Sequence, residues 1–303
     1  MSTILIGVDA SERSEDAVAF GRRIAEATGA ETLVVNAYPY SDVPSRAANA
    51  TYRKVLRDEG LEIAKRMAEP LGEDASHVVA PDPSPAHALH RLADSERAAL
   101  VIVGSTHTGR AGRVFPGSTG ERLIHGSPCA VAVVPTDYRK HVARPIKRIG
   151  VAYHPSDEGR AAVSAATELA RALSAELEVI GVMSPESWDS PALMGGPSVP
   201  TVREDVEQHV RRSLTEIVAQ VPADVTVTTR LLKGVPAEEL AARSEELDIL
   251  VVGSRGYGPL HSVLVGGVSG RVIRSAYCPV IVVPRGVEAP LSALSGKSAA
   301  TAV

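Results

Sequence analysis

The chain has few of the residues that stabilise small secreted proteins or cross membranes. It contains two cysteines in 303 residues, too few for a disulfide framework and without metal-ligand spacing. Aromatic residues make up only 3%, so a core must be built from Val, Ile, Leu and Ala. No run approaches the roughly 18 apolar residues of a membrane span, and the start lacks the basic segment of a signal peptide. We therefore expect a cytoplasmic protein.

Neither sign of charge is in large excess. The formal net charge of −4 argues against general binding to nucleic acid or to anionic membranes, which require a basic surface. Hydrophobic residues make up 44% and charged residues 22%, as is typical of globular domains with a real core. The length allows two domains of roughly 100–200 residues each.

The strongest pattern in the chain is an internal duplication. The segment "ILIGVDASERSEDAV" from Ile4 lines up with "IGVAYHPSDEGRAAV" from Ile149, and "HGSPCAVAVVP" with "RSAYCPVIVVP". The period of about 145–149 residues is far too long for a solenoid and indicates two copies of one whole domain. We predict domains over 1–139 and 149–286, a linker over 140–148 and a flexible tail over 287–303.

Within each copy, short apolar runs alternate with helical stripes. Runs such as "ILIGV", "ALVIVGS" and "ILVVGS" are apolar at nearly every position, as expected of parallel strands that are covered on both faces. Ser11 or Ser14 precedes the first helix and Ser156 or Asp157 its counterpart, as candidate N-caps. This alternation predicts a doubly wound α/β sheet in each copy. The two cysteines, Cys129 and Cys278, begin equivalent last strands and are expected to be buried, inert thiols.

A glycine-rich segment follows the fourth strand of each copy, at the sheet edge where α/β proteins bind ligands. Gly253 and Gly256 would permit positive φ and let the backbone approach a ligand closely. Consecutive N–H groups in such a loop, followed by a helix start, form an anion-binding nest. The segment lacks the lysine of a Walker loop and does not follow the first strand as a dinucleotide fingerprint would. A flexible glycine loop that only joins strand to helix is the alternative.

The glycine spacing resembles the signature of the universal stress protein family. The matching residues are Gly253, Gly256, Gly266 and Gly267 in the second copy and Gly104, His107, Gly117 and Ser118 in the first. Two of them depart from the pattern, since His107 stands where glycine is usual and Gly267 where Ser or Thr is usual. "GVDAS", "VPAEEL" and "VIVVP" also look similar, and the resemblance covers the chain except linker and tail.

The resemblance implies a five-stranded parallel sheet of order 3-2-1-4-5 in each copy. It also implies that the copies pair through their last strands as an intramolecular pseudo-dimer, with dimerisation of the whole chain left open. It further implies an adenine-nucleotide site, most simply for ATP with Mg²⁺ or Mn²⁺. In that site Asp9 would meet the adenine, main-chain groups near Ala37 and Val182 would flank the base, and His154 would stand opposite Asp9 in the second copy.

Each of these residues also has a structural interpretation. Asp9 could be a turn or cap residue, Ser118 a helix N-cap, and His154 a surface histidine. His107 and Arg255 could reach phosphates or simply be solvated. Trp188, in a long loop, could cover the site or pack on the surface.

The function implied is that of a nucleotide-binding stress or regulatory factor that acts on an unknown protein partner. No general base, metal cluster or nucleophile stands beside the glycine segment, which favours a binding protein over a dedicated enzyme. A nucleotide-free interaction scaffold is the main alternative. An ATP-using transferase or a slow ATPase is a third interpretation.

Overall fold

The computed structural model describes residues 2–38, 40, 50–106, 114, 116–184, 199–254, 268–286, 291 and 294. Within them the chain alternates strands and helices throughout. The strands are β1 (Thr3–Val8), β2 (Glu31–Tyr38), β3 (Ser76–Pro81), β4 (Leu100–Gly104), β5 (Ala130–Val134), β6 (Arg148–Ala152), β7 (Glu176–Met183), β8 (Val227–Lys233), β9 (Ile249–Gly253) and β10 (Val280–Val283). The helices are α1 (Glu12–Thr28), α2 (Ala50–Ala68), α3 (Pro85–Ser95), α4 (Ser118–Gly126), α5 (Asp157–Leu173), α6 (Val199–Val218), α7 (Pro236–Arg243) and α8 (Val268–Ile273).

All ten strands belong to one sheet, ordered β3-β2-β1-β4-β5-β10-β9-β6-β7-β8. Each half therefore has the order 3-2-1-4-5, and every pairing within a half is parallel. The last strands of the two halves, β5 and β10, pair antiparallel, with Ala132 opposite Ile281. The predicted fold and the intramolecular pseudo-dimer are confirmed.

Helices cover both faces of this sheet, which explains why its strands are apolar on both sides. On one face, α1, α2, α5 and α6 bury residues such as Phe20, Leu169 and Leu214 against the strands. On the other face, α3, α4, α7 and α8 do the same with residues such as Leu89 and Leu240. Cys129 and Cys278 are both buried thiols, as expected. Burial raises the pKa of Cys129 to about 11 and raises that of Cys278 as well.

The helix starts confirm two of the four candidate N-caps. Ser11 precedes α1 and Ser156 precedes α5, both with extended backbone. The Ser156 hydroxyl accepts a hydrogen bond from the amide of Gly159 at 3.2 Å, as an N-cap side chain should. Ser14 and Asp157 instead lie inside the first turns of their helices.

The segment between the halves is tied to α1 by a buried carboxylate. Asp16 is 1% exposed and accepts hydrogen bonds from the amides of Asp137 and Arg139 at 3.0 and 2.9 Å. The Arg139 guanidinium also reaches Asp16 at 3.3 Å and the exposed Glu15 at 3.1 Å. On the other side, Asp248 accepts from the amides of Lys147 and Arg148 at 2.7 and 2.9 Å. The linker is thus anchored in both halves.

Two leucines of the segment predicted as a tail depart from that expectation. Leu291 and Leu294 are 4% and 3% exposed and pack in the core cluster of the α1 and α5 face. The two leucines are three residues apart and lie on the same side of the chain. A pattern of two apolar residues is too short to be recognised in the sequence as part of the core. No described helix is long and apolar enough to cross a membrane.

The Asp16 anchor is testable against its exposed neighbour on the same arginine. Asp16→Ala should lower the free energy of unfolding by roughly 2–4 kcal/mol, because it removes a buried carboxylate and leaves the partly buried amides of Asp137 and Arg139 without an acceptor. Glu15→Ala removes an exposed ion pair and should cost less than about 1 kcal/mol. Urea denaturation of both variants measures the difference. Equal losses would contradict a special role for the buried carboxylate.

Candidate functional site

A cavity of about 250 Å³ lies at the carboxyl ends of β1, β2 and β4. Five of the predicted site residues line it together: Asp9, Ala37, Gly104, Gly117 and Ser118. The remaining walls come from the first turns of α1 and α3, from the strand ends and from the start of α4. The structure thus brings these five predicted residues together at one edge of the sheet.

The topology explains this position. The strand β1 lies between β2 and β4, with Ile6 opposite both Val34 and Ile102. After β1 the chain first forms β2 on one side, and only later forms β4 on the other side of β1. The strand order therefore reverses between β1 and β4. In open α/β sheets such a switch point opens a crevice outside the strand ends.

Asp9 follows β1 and is held by the start of α1. Its Oδ1 atom accepts from the amide of Ser11 at 2.9 Å and from the Ser14 hydroxyl at 2.8 Å, and the Ser11 hydroxyl donates to it as well. The amide of Asp9 in turn donates to Ser14 Oγ at 2.7 Å. Asp9 is therefore a turn residue. Its Oδ2 atom keeps only a 3.7 Å contact with Arg13, which leaves that oxygen able to accept from a ligand.

The Asp9 carboxylate is ionised at neutral pH. Partial burial alone would raise its pKa, but the hydrogen bonds from Ser11 and Ser14 and the charge of Arg13 outweigh burial and hold the pKa below its ordinary value. The Arg13 side chain, 24% exposed, lines the same cavity. The sequence analysis missed Arg13, because an arginine in the first turn of a helix carries no pattern of its own. The signal that could have identified Arg13 is its position four residues after Asp9.

Gly104 is explained by packing rather than by backbone conformation. A Cβ at Gly104 would overlap the carbonyl of Arg13, and one at Gly253 would lie 2.8 Å from the carbonyl oxygen of Glu158. Gly253 lies in β9 and is absent from the described glycines with positive φ. The positive φ that glycine would permit is therefore not used at Gly253. Gly104 lets α1 lie directly against the end of β4, and Gly253 lets α5 lie directly against the end of β9.

The helix α4 begins at the opposite wall of the cavity. Gly117 is its N-cap, with φ −74° and ψ 179°, and Ser118 is the first helical residue rather than the cap. The first intrahelical bond runs from the amide of Glu121 to the carbonyl of Gly117, at 2.9 Å. The preceding helical amides have no earlier turn to which they could donate, so the helix start offers N–H groups and a positive dipole end to an anion.

The second half has the same strand pairing as the first half, but a different turn after its first strand. Strand pairing places Ile149 beside Ile249 as it places Ile4 beside Leu100, so His154 stands where Asp9 does, and it is exposed. The equivalent of Ser14 is Gly159, where a Cβ would overlap the carbonyl of His154. The chain after β6 thus occupies the space that the Ser14 side chain uses after β1.

Several predicted site residues cannot be compared with the structure. His107, Arg255, Gly256, Gly266 and Gly267 lie outside the described residues, as does Trp188. Val182 is described in β7, where it pairs with Leu232 and is partly buried against the α7 face.

Comparison with known proteins places the chain in a family. The model of the universal stress protein family matches residues 1–135 and 145–284. The chain belongs to the universal stress protein family. Each match contains one five-stranded half of the sheet, so this member carries the family domain twice.

Relatives of this universal stress protein share its whole length. One from Mycolicibacterium smegmatis is 30% identical over 92% of this chain and 96% of its own. One from Mycobacterium tuberculosis is 27% identical over 92% of this chain and 95% of its own. The fold is also similar to a crystal structure of a universal stress protein from Archaeoglobus fulgidus, with TM-score 0.71 and 20% identity over 94% of this chain and 98% of that chain.

The packing role of Gly104 gives a direct test. Gly104→Ala should lower the free energy of unfolding by roughly 1–3 kcal/mol, because its methyl group forces α1 away from β4. Gly126→Ala is a matched control, since a Cβ there meets no atom within 4 Å, and should change stability by less than about 0.5 kcal/mol. Denaturant titration of both variants measures this. A neutral Gly104→Ala variant would show that the close contact is not constraining.

Proposed function

We propose that the chain binds adenine nucleotide, most simply ATP, in the first-half cavity and acts as a nucleotide-dependent stress or regulatory factor. The observation that carries the proposal is the convergence of a free carboxylate oxygen, a guanidinium and a helix start on one cavity. These three features, Asp9, Arg13 and the first turn of α4, fit the two chemically different ends of a nucleotide.

The base end of the ligand would lie beside Asp9. An ionised carboxylate accepts hydrogen bonds but donates none, so Oδ2 suits the exocyclic amine of adenine. Ala37, near the end of β2, lines the same cavity. Because Oδ1 is already occupied by Ser11 and Ser14, the position of Oδ2 is fixed before any ligand arrives, which limits the entropy lost on binding.

The phosphate end would lie at the start of α4. The amides of Ser118, Thr119 and Gly120 open the helix beside the cavity, and a helix start stabilises phosphate through N–H groups and its dipole. Arg13 adds a positive charge on the facing wall. A triphosphate would bring Mg²⁺ or Mn²⁺ with it. The described residues contain no cluster of three or more His, Cys, Asp or Glu that could hold a metal, so phosphate oxygens and water would supply most of its ligands.

The cavity size is consistent with part of such a ligand. Small-molecule pockets run from roughly 300 to 1,000 Å³, and the described walls enclose about 250 Å³. Val114, which lies between β4 and α4 in the chain, contacts the other half, because its amide donates to the carbonyl of Ala276 at 2.8 Å. Thr106 and Gly117, which come before and after Val114 in the chain, line the cavity. Nucleotide there would lie close in sequence to a residue that is bonded to the second half, which provides a route to a regulatory effect.

We further propose that the second half does not bind adenine in the same way. His154 replaces the carboxylate, and its carbonyl occupies the place of the Ser14 side chain. In the first half, buried Asn36 also donates to the carbonyl of Val8 at 3.0 Å and fixes the end of β1. The residue at the equivalent position of β7 is Gly181, which has no side chain to do so. The turn that presents Asp9 is thus built only in the first half.

Calorimetric titration with ATP tests both proposals. The expected result is one ATP per chain, and weakening by roughly tenfold or more in Asp9→Asn, because the amide cannot accept from adenine at the former Oδ2 position. Asn keeps an acceptor for Ser11, so the turn should survive and thermal unfolding should be nearly unchanged. His154→Ala should bind ATP like the wild type.

Three results would contradict the proposals in different ways. Absence of binding by the wild type would favour the nucleotide-free scaffold. Loss of binding in His154→Ala but not in Asp9→Asn would move the site to the second half. Release of phosphate or AMP that depends on a second substrate would favour the transferase interpretation.

A further inference from the structure

A second cleft lies on the far side of β2 from the nucleotide cavity. Its volume is about 670 Å³, well within the range of small-molecule sites. We call it the basic cleft and define it by Tyr38, Tyr40, Arg53, Lys54, Arg57 and Arg91. Successive residues of a strand point to opposite faces of a sheet, and accordingly Ala37 lines the nucleotide cavity while Tyr38 lines the basic cleft.

The floor of the cleft is held by backbone hydrogen bonds between the ends of β2 and β3 and the residues that follow them. The amide of Asp82 donates to the carbonyl of Tyr38 at 3.2 Å, and the amide of Tyr40 donates to the carbonyl of Asp82 at 3.3 Å. The Arg53 guanidinium stacks over the Tyr40 ring, 4.9 Å from its centroid. Pro81 and Pro83 flank the same space. The cleft therefore offers flat apolar surfaces beside positive charge.

The charge of the cleft is positive although the chain as a whole is negative. Arg53, Lys54 and Arg57 follow one another at spacings of one and three residues on α2, and Arg91 faces them from α3. Lys54 and Arg57 form no ion pair with any described residue. A local positive site on a protein of net charge −4 concentrates anions at that site.

The buried carboxylate of the cleft pairs with Arg91 on α3 but with none of the cations of α2. Asp82 has 8% of its side chain exposed and accepts from the amide of Ser84 at 2.9 Å. It also contacts His87 Nδ1 at 2.7 Å and lies 3.8 Å from Arg91. Its oxygens are thus turned toward the start of α3, away from the lysine and arginines of α2. Asp58 is the other carboxylate of the lining.

We propose that the basic cleft binds a small organic phosphate, with a planar ring against Tyr38 and Tyr40 and the phosphate against the cations of α2 and α3. Arginine forms paired, charge-assisted hydrogen bonds with phosphate oxygens, and aromatic rings favour stacking on a planar group. The site is independent of the nucleotide cavity, because the two share no lining residue.

Calorimetry with phenyl phosphate and with inorganic phosphate tests this site. The wild type should bind phenyl phosphate at millimolar concentration and more tightly than inorganic phosphate. The double variant Lys54→Glu/Arg57→Glu should weaken phenyl phosphate binding by roughly tenfold or more. The control Lys65→Glu/Arg66→Glu changes the same net charge on exposed residues of the same helix, outside the cleft, and should stay within about twofold of the wild type.

Other outcomes would overturn the proposal. If the wild type gives no binding heat with phenyl phosphate, the proposed site does not exist. If both double variants weaken binding equally, the binding is a general effect of net charge. If inorganic phosphate binds as tightly as phenyl phosphate, the proposed contact between the ligand ring and the tyrosines is contradicted. The single variant Arg57→Gln, which adds no repulsion, should also weaken binding if both double variants prove unstable, and unchanged binding there counts against the proposal.

Discussion

The structure of the candidate site depends on how closely α1 approaches the end of β4. A Cβ at Gly104 would overlap the carbonyl of Arg13, so the absence of a side chain at that position sets the distance between helix and strand. This contact brings Asp9 and Arg13, from the start of α1, to the same cavity as the start of α4. The same constraint recurs at Gly253 against Glu158, which shows that it belongs to the frame of the domain rather than to the ligand.

Duplication preserved this frame while the turns above it diverged. The halves share strand order and register and join through β5 and β10 into one sheet. Pairing the last strands removes two exposed edges. After β1, Ser14 and Asn36 hold the turn and the strand end, and the equivalents Gly159 and Gly181 have no side chains to do so. Two copies of one fold can thus carry different turns at the sheet edge without any change in strand order.

The sequence pattern predicted two α/β domains, because buried parallel strands are apolar at nearly every position and the duplication doubled that signal. The strand order and the pairing of the last strands were implied by the family resemblance. The sequence also predicted Asp9, Gly104 and Gly117 at one sheet edge. It did not show why residue 253 is glycine, since a composition pattern does not distinguish positive φ from a close helix contact. Arg13 and the basic cleft were missed, because both depend on which side chains meet after folding and not on spacing along the chain.

The central proposal is that Oδ2 of Asp9 and the first amides of α4 hold the two ends of one nucleotide. A crystal structure of the chain with a non-hydrolysable ATP analogue tests this most directly. The exocyclic amine of adenine should lie within hydrogen-bonding distance of Asp9 Oδ2, with phosphate oxygens on the amides of residues 118–120, in the first half alone. An analogue bound with its base away from Asp9, or bound only in the second half, would contradict the proposal.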